Sequence, residues 1–180
     1  MKTALVLFAA GSEELEAVTV VNILRRAGVT VTLAGLSEGA LKGSRGITLQ
    51  PDTTLDAVLN DDFDMLVFPG GMPGTRHLQA DTRVLKLAQD MAKRGRYVTA
   101  ICAAPMVLAT AGLLAGKRAT CYPTCLDEFP SVQLQTTAVV EDGKLITSRG
   151  PGTAMDFALT LAERLTGKAR RDEVEAGLVR

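Results

Sequence analysis

The sequence TALVLFAAGSEELEAVTVVNILRRAG, residues 3–28, places a strand directly before a helix and indicates the fold. Thr3–Ala9 is a continuous apolar run, which is typical of a strand buried on both faces. Within Glu13–Ala27, apolar residues recur near the spacing of one helix face, and Gly28 is placed to end the helix. The chain is therefore predicted to begin with a β-α unit.

The same alternation continues along the chain. Two hairpins are expected, one within Leu41–Gln50 and one that joins Thr136–Val140 to Lys144–Thr147 around the turn pair Asp142-Gly143. Buried strands that alternate with helices predict an α/β fold with a mostly parallel central sheet, helices on both faces and a small β-hairpin extension. The other predicted strands are Val29–Gly35, Met65–Phe68, Tyr97–Ile101 and Arg118–Tyr122, and the other helices are Arg83–Arg94, Ala104–Leu114 and Asp156–Leu165.

Composition limits the classes of function. A chain of 180 residues that is 47% apolar can fill one core, so a single domain over residues 1–180 is expected. The 20 basic and 20 acidic residues cancel, and aromatic residues make up 4% with no Trp, which argues against nucleic-acid binding. No apolar stretch reaches the roughly 18 residues of a membrane span, so no membrane partner is expected.

Two features bear on the compartment. Met1–Gly11 has a basic residue before an apolar run, as a secretory signal does, but Glu13-Glu14 interrupts the run and a helix follows. A buried first strand is the better interpretation. Cys102, Cys121 and Cys125 form neither an even set nor a metal-binding spacing, so we expect a reducing cytoplasm and no metal.

The stretch YVTAICAAP, residues 97–105, carries the clearest chemical signal. In a parallel sheet, ligands bind beyond the carboxyl ends of the strands, and Cys102 lies there, between a strand and a helix, as in a nucleophile elbow. Unpaired amides at a helix start stabilise an anion, so we predict a lowered pKa and a reactive thiolate for Cys102. A buried structural cysteine is the alternative.

The turn Pro69-Gly70-Gly71 follows a neighbouring strand. Glycine lets the backbone approach a ligand closely, so Gly70 and Gly71, together with the amide of Ala103, are candidates for stabilising an oxyanion. A plain turn is the alternative. Neither GxGxxG nor GxxxxGK[ST] occurs, so no nucleotide cofactor is expected.

Three carboxyl groups open the first helix: Glu13, Glu14 and Glu16. Acids in a first turn favour the helix dipole, which accounts for Glu13 and Glu14. A carboxyl close to a thiolate is favoured in its protonated form and can donate a hydrogen bond to sulfur. His77, the only histidine, lies in a predicted polar loop, and no Ser-His-Asp triad is expected.

Five motifs together resemble the ThiJ/PfpI superfamily, in particular the branch of bacterial YajL and the human parkinsonism-associated protein deglycase. The resemblance spans nearly the whole chain, and motifs in one order are far more specific than any one of them. The motifs are GSEELE at 11–16, PGG at 69–71, AICAAP at 100–105, YP at 122–123 and SRGPGT at 148–153.

This resemblance implies a flavodoxin-like three-layer sandwich, a homodimer, a nucleophilic and oxidation-prone Cys102 and a carboxyl partner, Glu16. Tyr122, Arg45 and Arg149 are candidate neighbours of the site. The chain departs from related patterns at two positions. Ala103 replaces the histidine of the protease-like branch, and Tyr122 replaces a histidine common in the human-type branch, so neither a Cys-His protease pair nor histidine- or metal-assisted chemistry is supported.

Three functions remain open at this point. The first is a glyoxalase or protein deglycase that acts without a cofactor on methylglyoxal-like 2-oxoaldehydes or on glycated proteins, with Cys102 as nucleophile and Glu16 as proton shuttle. The second is a redox sensor or holdase chaperone in which Cys102 is oxidised to a sulfinic acid. The third, thiazole biosynthesis, is a label of the family that no residue requires.

Overall fold

A computed structural model describes all residues, 1–180, and has a seven-stranded sheet at its centre. The strands are β1 (Thr3–Phe8), β2 (Thr30–Gly35), β3 (Leu41–Lys42), β4 (Thr48–Leu49), β5 (Thr53–Thr54), β6 (Met65–Phe68), β7 (Tyr97–Ile101), β8 (Arg118–Ala119), β9 (Gln133–Leu134), β10 (Val139–Asp142) and β11 (Leu145–Ser148). The central sheet has the order β10-β11-β7-β6-β1-β2-β5. All neighbouring strands in it are parallel except β10 and β11.

Helices cover both faces of this sheet. They are α1 (Glu14–Arg26), α2 (Leu55–Val58), α3 (Gly74–Ala80), α4 (Thr82–Lys93), α5 (Pro105–Thr110), α6 (Ala154–Thr166) and α7 (Lys168–Ala176), with a 3-10 turn at Pro151–Thr153. Helices α2 to α5 contribute to one apolar cluster, and α1, α6 and α7 contribute to the other. The predicted α/β sandwich with a mostly parallel sheet is confirmed.

Strand β1 shows why the sheet is buried on both sides. Leu5 and Leu7 pack in the cluster beneath α2 to α5, whereas Ala4 and Val6 pack in the opposite cluster. Successive side chains of a strand point to opposite faces, so a strand covered on both sides needs a continuous apolar run. No helix of the chain is long and apolar enough to cross a membrane.

The two predicted hairpins have different places in the fold. The first is the small β3-β4 pair outside the central sheet, and the second is the β10-β11 pair at its edge. The strand predicted at Arg118–Tyr122 is wrong in length, because only Arg118–Ala119 pairs, with Gln133–Leu134. Beyond it the backbone turns to other partners, as the Tyr122 N–H donates to the Cys102 carbonyl at 2.8 Å.

Two helices also differ from the prediction. The helix predicted at Ala104–Leu114 spans only Pro105–Thr110, and Gly112 beyond it has a positive φ of 76°. The segment around His77, predicted as a polar loop, is helix α3. Arg76 and His77 are exposed while Thr75 and Leu78 are buried, so the polar residues form the solvent-facing side of a helix rather than a loop.

The strand order places three chain segments together. Strand β1 lies between β2 and β6, so the chain runs to one side of β1 first and to the other side later. Such a reversal leaves a crevice at the carboxyl ends of the strands. The residues after β1, β6 and β7 therefore meet at one edge, and they include the start of α1, the Gly70-Gly71 turn and Cys102.

Candidate active site

Cys102 occupies a sharp turn between β7 and α5. Its φ of 64° is positive, which is unusual for a residue with a side chain and indicates local strain. Two backbone hydrogen bonds hold Cys102 in this conformation: its N–H donates to Ser148 O at 2.9 Å, and its carbonyl accepts from the Tyr122 N–H. The side chain remains 8% exposed. This strand-turn-helix geometry is that of a nucleophile elbow.

Glu16 lies behind the cysteine and has no exposed surface. Its Oε2 accepts a hydrogen bond from the Gly70 N–H at 2.7 Å. Oε1 has no regular hydrogen bond, and the side chain that interacts with this carboxyl is the Cys102 thiol. Burial raises the pKa of Glu16 to about 7, against the opposing effect of the Gly70 and Cys102 hydrogen bonds.

The predicted lowering of the Cys102 pKa is wrong for a thiol beside an ionised Glu16. Burial, followed by the negative charge of Glu16, raises the pKa of the Cys102 thiol to about 12. The backbone amides of Gly71 and Ala103 do lower it, as the sequence argument expected, but they are outweighed. When Glu16 is protonated, its negative charge is absent and its O–H can donate a hydrogen bond to the sulfur. The reactivity of Cys102 therefore depends on the protonation states of both Glu16 and the thiol.

The Gly70-Gly71 turn packs directly against the elbow. A Cβ at Gly70 would lie 2.7 Å from the Cβ of Cys102, so only glycine fits there. The Gly70 amide is used by Glu16, whereas the amides of Gly71 and Ala103 interact with the Cys102 sulfur. Gly71 and Ala103 are thus the two amides that face the reacting atom.

A cavity of about 330 Å³ opens in front of Cys102. Four other residues singled out from the sequence line it, namely Gly71, Ala103, Tyr122 and Arg45. Arg149 does not, and its guanidinium donates to Thr136 O at 3.3 Å. The remaining lining residues are Glu13, Ser44, Met72, Cys125 and Pro151.

Sequence reasoning missed the places of Glu13 and Glu14. Glu13 lines the cavity, and its Oε2 accepts from Ser44 Oγ at 2.7 Å. Glu14 is buried and accepts from the N–H groups of Arg45 and Ile47 at 3.0 and 3.1 Å, so it fastens the β3-β4 hairpin to α1. Their position in a first helical turn gave no sign of either contact, because the hairpin is distant in sequence.

The other polar candidates lie outside the cavity. His77 is on α3, with Nδ1 at 3.0 Å from Ala10 O. Cys121 is buried and does not line the cavity, whereas Cys125 is the thiol that shares the cavity with Cys102. No three His, Cys, Asp or Glu side chains gather closely enough to hold a metal ion. A larger groove of about 600 Å³, beside Val18 and Leu49, has no nucleophile.

The sequence and the fold are similar to those of known proteins over almost the whole chain. Protein dj-1beta of Drosophila melanogaster is 45% identical over 181 residues, covering 99% of this chain and 97% of that protein, and its crystal structure has a TM-score of 0.96 to this one. Glutathione-independent glyoxalase DJR-1.2 of Caenorhabditis elegans is 36% identical, with coverage of 96% and 94%. The structure of oxidized Toxoplasma gondii DJ-1 has 36% identity, a TM-score of 0.95 and coverage of 99% and 98%. Residues 2–164 match the DJ-1/PfpI family, and the chain belongs to it.

Proposed function

We propose that this protein is a cysteine-dependent, cofactor-independent glyoxalase or deglycase that acts on methylglyoxal-like 2-oxoaldehydes or their adducts on proteins. The observation that carries the proposal is Cys102 on a strained elbow, with the buried carboxyl of Glu16 behind it and two free amides and a cavity in front. A relative named as a glutathione-independent glyoxalase, similar over almost its whole length, supports the same chemistry.

In the first step Cys102 Sγ forms a bond to the aldehyde carbon. Glu16 accepts the thiol proton, and its pKa of about 7 suits a group that must both take and return a proton near neutral pH. The aldehyde π electrons move to oxygen, where the amides of Gly71 and Ala103 stabilise the negative charge. Proton return gives a thiohemiacetal.

The later steps require no external oxidant or reductant. Moving the hydrogen on the aldehyde carbon to the neighbouring ketone carbon converts the thiohemiacetal to a lactoyl thioester, so one carbon is oxidised and the other reduced. Water then attacks the thioester, the Cys102 thiolate leaves, and lactate is released. Atoms balance as one methylglyoxal plus one water giving one lactic acid.

Adducts on proteins fit the same site if they reach it from the surface. The cavity mouth includes Tyr122, which is 51% exposed, and Arg45, whose side chain is 82% exposed. A 2-oxoaldehyde attached to a protein side chain offers Cys102 the same electrophilic carbon. Deglycase activity thus differs from glyoxalase activity in one step. The amine or thiol of the modified protein leaves before the isomerisation, and the later steps are the same.

The test compares wild type with Cys102→Ser and with Cys121→Ser, whose thiol lies outside the cavity. Each protein is incubated with methylglyoxal, and lactate is followed over time. We expect lactate from wild type and Cys121→Ser and none above background from Cys102→Ser. Equal lactate formation by the Cys102→Ser protein would refute a nucleophilic role for this cysteine.

A redox sensor or holdase chaperone is the second candidate. The same amides and a protonated Glu16 could stabilise a sulfinate on Cys102, formed from one thiolate and two peroxide molecules with release of two waters. The similar T. gondii structure is of an oxidized protein, which favours this candidate. Mild peroxide followed by peptide mapping should find Cys102 oxidised first, and chaperone activity should then appear only in the oxidised protein.

A further inference from the structure

Glu13 is a second carboxyl group at the Cys102 cavity, and the reaction steps proposed for Cys102 and Glu16 do not use it. Glu13 lines the cavity that Cys102 opens into, whereas Glu16 has no exposed surface and does not line it. The two carboxyl groups are close enough that the charge of Glu13 contributes to the raised pKa of Glu16. Glu13 therefore faces the cavity in front of Cys102, whereas Glu16 lies in the interior beside the thiol.

The Glu13 side chain is held in place rather than free in solvent. It is 9% exposed, and Ser44 Oγ donates to its Oε2 at 2.7 Å while Arg45 Nε lies 3.8 Å from the same oxygen. Its backbone N–H donates to Gly70 O at 2.8 Å, and Gly70 packs on Cys102. Two short contacts thus fix the position of Glu13 relative to the nucleophile.

The isomerisation of the thiohemiacetal needs a base on the substrate's side of the sulfur. Glu16 is poorly placed for this step, because it has no exposed surface and does not line the cavity. The carbon bonded to Cys102 projects into the cavity, where Glu13 is the carboxylate among the lining residues.

We infer that Glu13 is the base that carries the proton from the aldehyde carbon to the ketone carbon of a 2-oxoaldehyde bound to Cys102, which rests on the function proposed above. Glu13 takes the proton of the C–H bond, whose electrons form the carbon–carbon double bond of an enediol as the ketone π electrons move to oxygen. Glu13 then returns a proton to the former ketone carbon, and the proton of the hydroxyl on the sulfur-bearing carbon moves to the negatively charged oxygen of the former ketone, which gives the lactoyl thioester. In this mechanism Glu16 exchanges a proton with the Cys102 sulfur, and Glu13 transfers a proton between the two carbon atoms.

A purely structural role for Glu13 is the competing explanation. Glu13 is the N-cap of α1, and its Oε1 accepts from the Leu15 N–H at 3.4 Å. Loss of a cap lowers stability but leaves the chemistry of a folded protein intact. If Glu13 is the base, its substitution slows isomerisation and leaves the reactivity of the thiol unchanged. If Glu13 is only structural, both change together.

The experiment uses the variants Glu13→Gln and Glu13→Asp, with Glu128→Gln as a control at an exposed position outside the cavity. Two quantities are measured on folded protein: lactate formation from methylglyoxal and the rate at which iodoacetamide alkylates Cys102. We expect Glu13→Gln to lose about 10²–10⁴-fold in lactate formation with alkylation changed less than about twofold, the loss typical of a general base. Glu13→Asp should recover part of the rate, and Glu128→Gln should match wild type.

Three outcomes would overturn the inference. Lactate formation by Glu13→Gln within a few-fold of wild type would exclude Glu13 as the base. A parallel loss of alkylation and lactate formation would assign it a structural role at the elbow. Wild-type protein that reacts with iodoacetamide but makes no lactate would refute the proposed function itself, and the role of Glu13 with it.

Discussion

At the residue scale, catalysis depends on proton exchange within the buried pair of Cys102 and Glu16. An ionised Glu16 can accept the thiol proton, and this form is lost as pH falls through its pKa of about 7. We therefore expect lactate formation by wild type to decline below about pH 7, measured as initial rate against pH. Glu16→Gln should lose about 10²–10⁴-fold in rate and lack this limb, since an amide cannot cycle between acid and base. A Glu16→Gln protein that keeps the wild-type profile would remove Glu16 from the mechanism.

The same carboxyl has a cost in stability that depends on pH. The pKa of Glu16 rises from 4.5 in the unfolded chain to about 7 in the folded protein, so ionising Glu16 costs more free energy in the folded protein. Stability is therefore highest below the unfolded pKa and falls as pH rises toward 7. Because Glu16→Gln does not ionise, we expect it to be more stable than wild type by up to about 3 kcal/mol at alkaline pH. Urea unfolding at about pH 5 and about pH 8 should show the gap widen with pH. A gap that narrows instead would contradict the raised pKa.

At the element scale, the approach of the β6 end to the elbow depends on Gly70. A Cβ there would meet Cys102 Cβ at 2.7 Å and Ile101 O at 2.9 Å. Gly70→Ala should therefore push the two turns apart, at a cost of about 1–3 kcal/mol in unfolding free energy and with a loss of lactate formation. Gly152→Ala is the matched control, because nothing lies within 4 Å of a Cβ at that position. Equal activity of both variants would show that this close approach is not required.

Glu14 joins two elements, and its substitution should act on stability. Burial opposes ionisation, but backbone amides including those of Ile47 and Arg45 hold the pKa of Glu14 below its ordinary value. A lowered pKa contributes stability above the unfolded value of 4.5 that is lost as pH falls below it. We expect Glu14→Gln to lose about 1.5–3 kcal/mol at neutral pH, since it weakens hydrogen bonds to a charged group. Urea unfolding should show this difference shrink in acid, and a constant difference would argue against the ionised carboxylate.

The elements differ in how well the sequence predicted them. Strands β1, β6 and β7 were predictable because their apolar runs report burial on both faces, and the elbow followed from the strand-to-helix order at Cys102. The contacts of Glu13 and Glu14 were not predictable, because a local pattern cannot place the β3-β4 hairpin against α1. For the same reason the pKa of Cys102 was misjudged: the helix amides are visible in sequence, but the depth of burial and the Glu16 charge are set by tertiary packing.

At the scale of the whole molecule, one exposed apolar face remains without a partner. On the outer side of α1 and the adjacent hairpin, Leu15, Val18 and Ile47 are 51%, 48% and 60% exposed. Beside them runs the groove of about 600 Å³, whose polar residues include Arg25 and Gln50. An apolar surface edged by polar groups is typical of a protein–protein interface. We propose that this α1 face is the contact between two copies of the chain in a homodimer.

In a homodimer whose two-fold axis passes through the α1 face, the Val18 side chains of both copies lie in the interface. Val18→Glu introduces two charges into that contact, and burial of unpaired charge is costly, so we expect the variant to be monomeric. Light scattering after gel filtration should give twice the chain mass for wild type and the single chain mass for Val18→Glu. Leu134→Glu is the control, because Leu134 is similarly exposed, at 50%, but lies on β9 away from α1. If Val18→Glu stays dimeric while Leu134→Glu dissociates, the interface lies on the β9 side; if wild type is monomeric at micromolar concentration, the α1 face does not serve self-association.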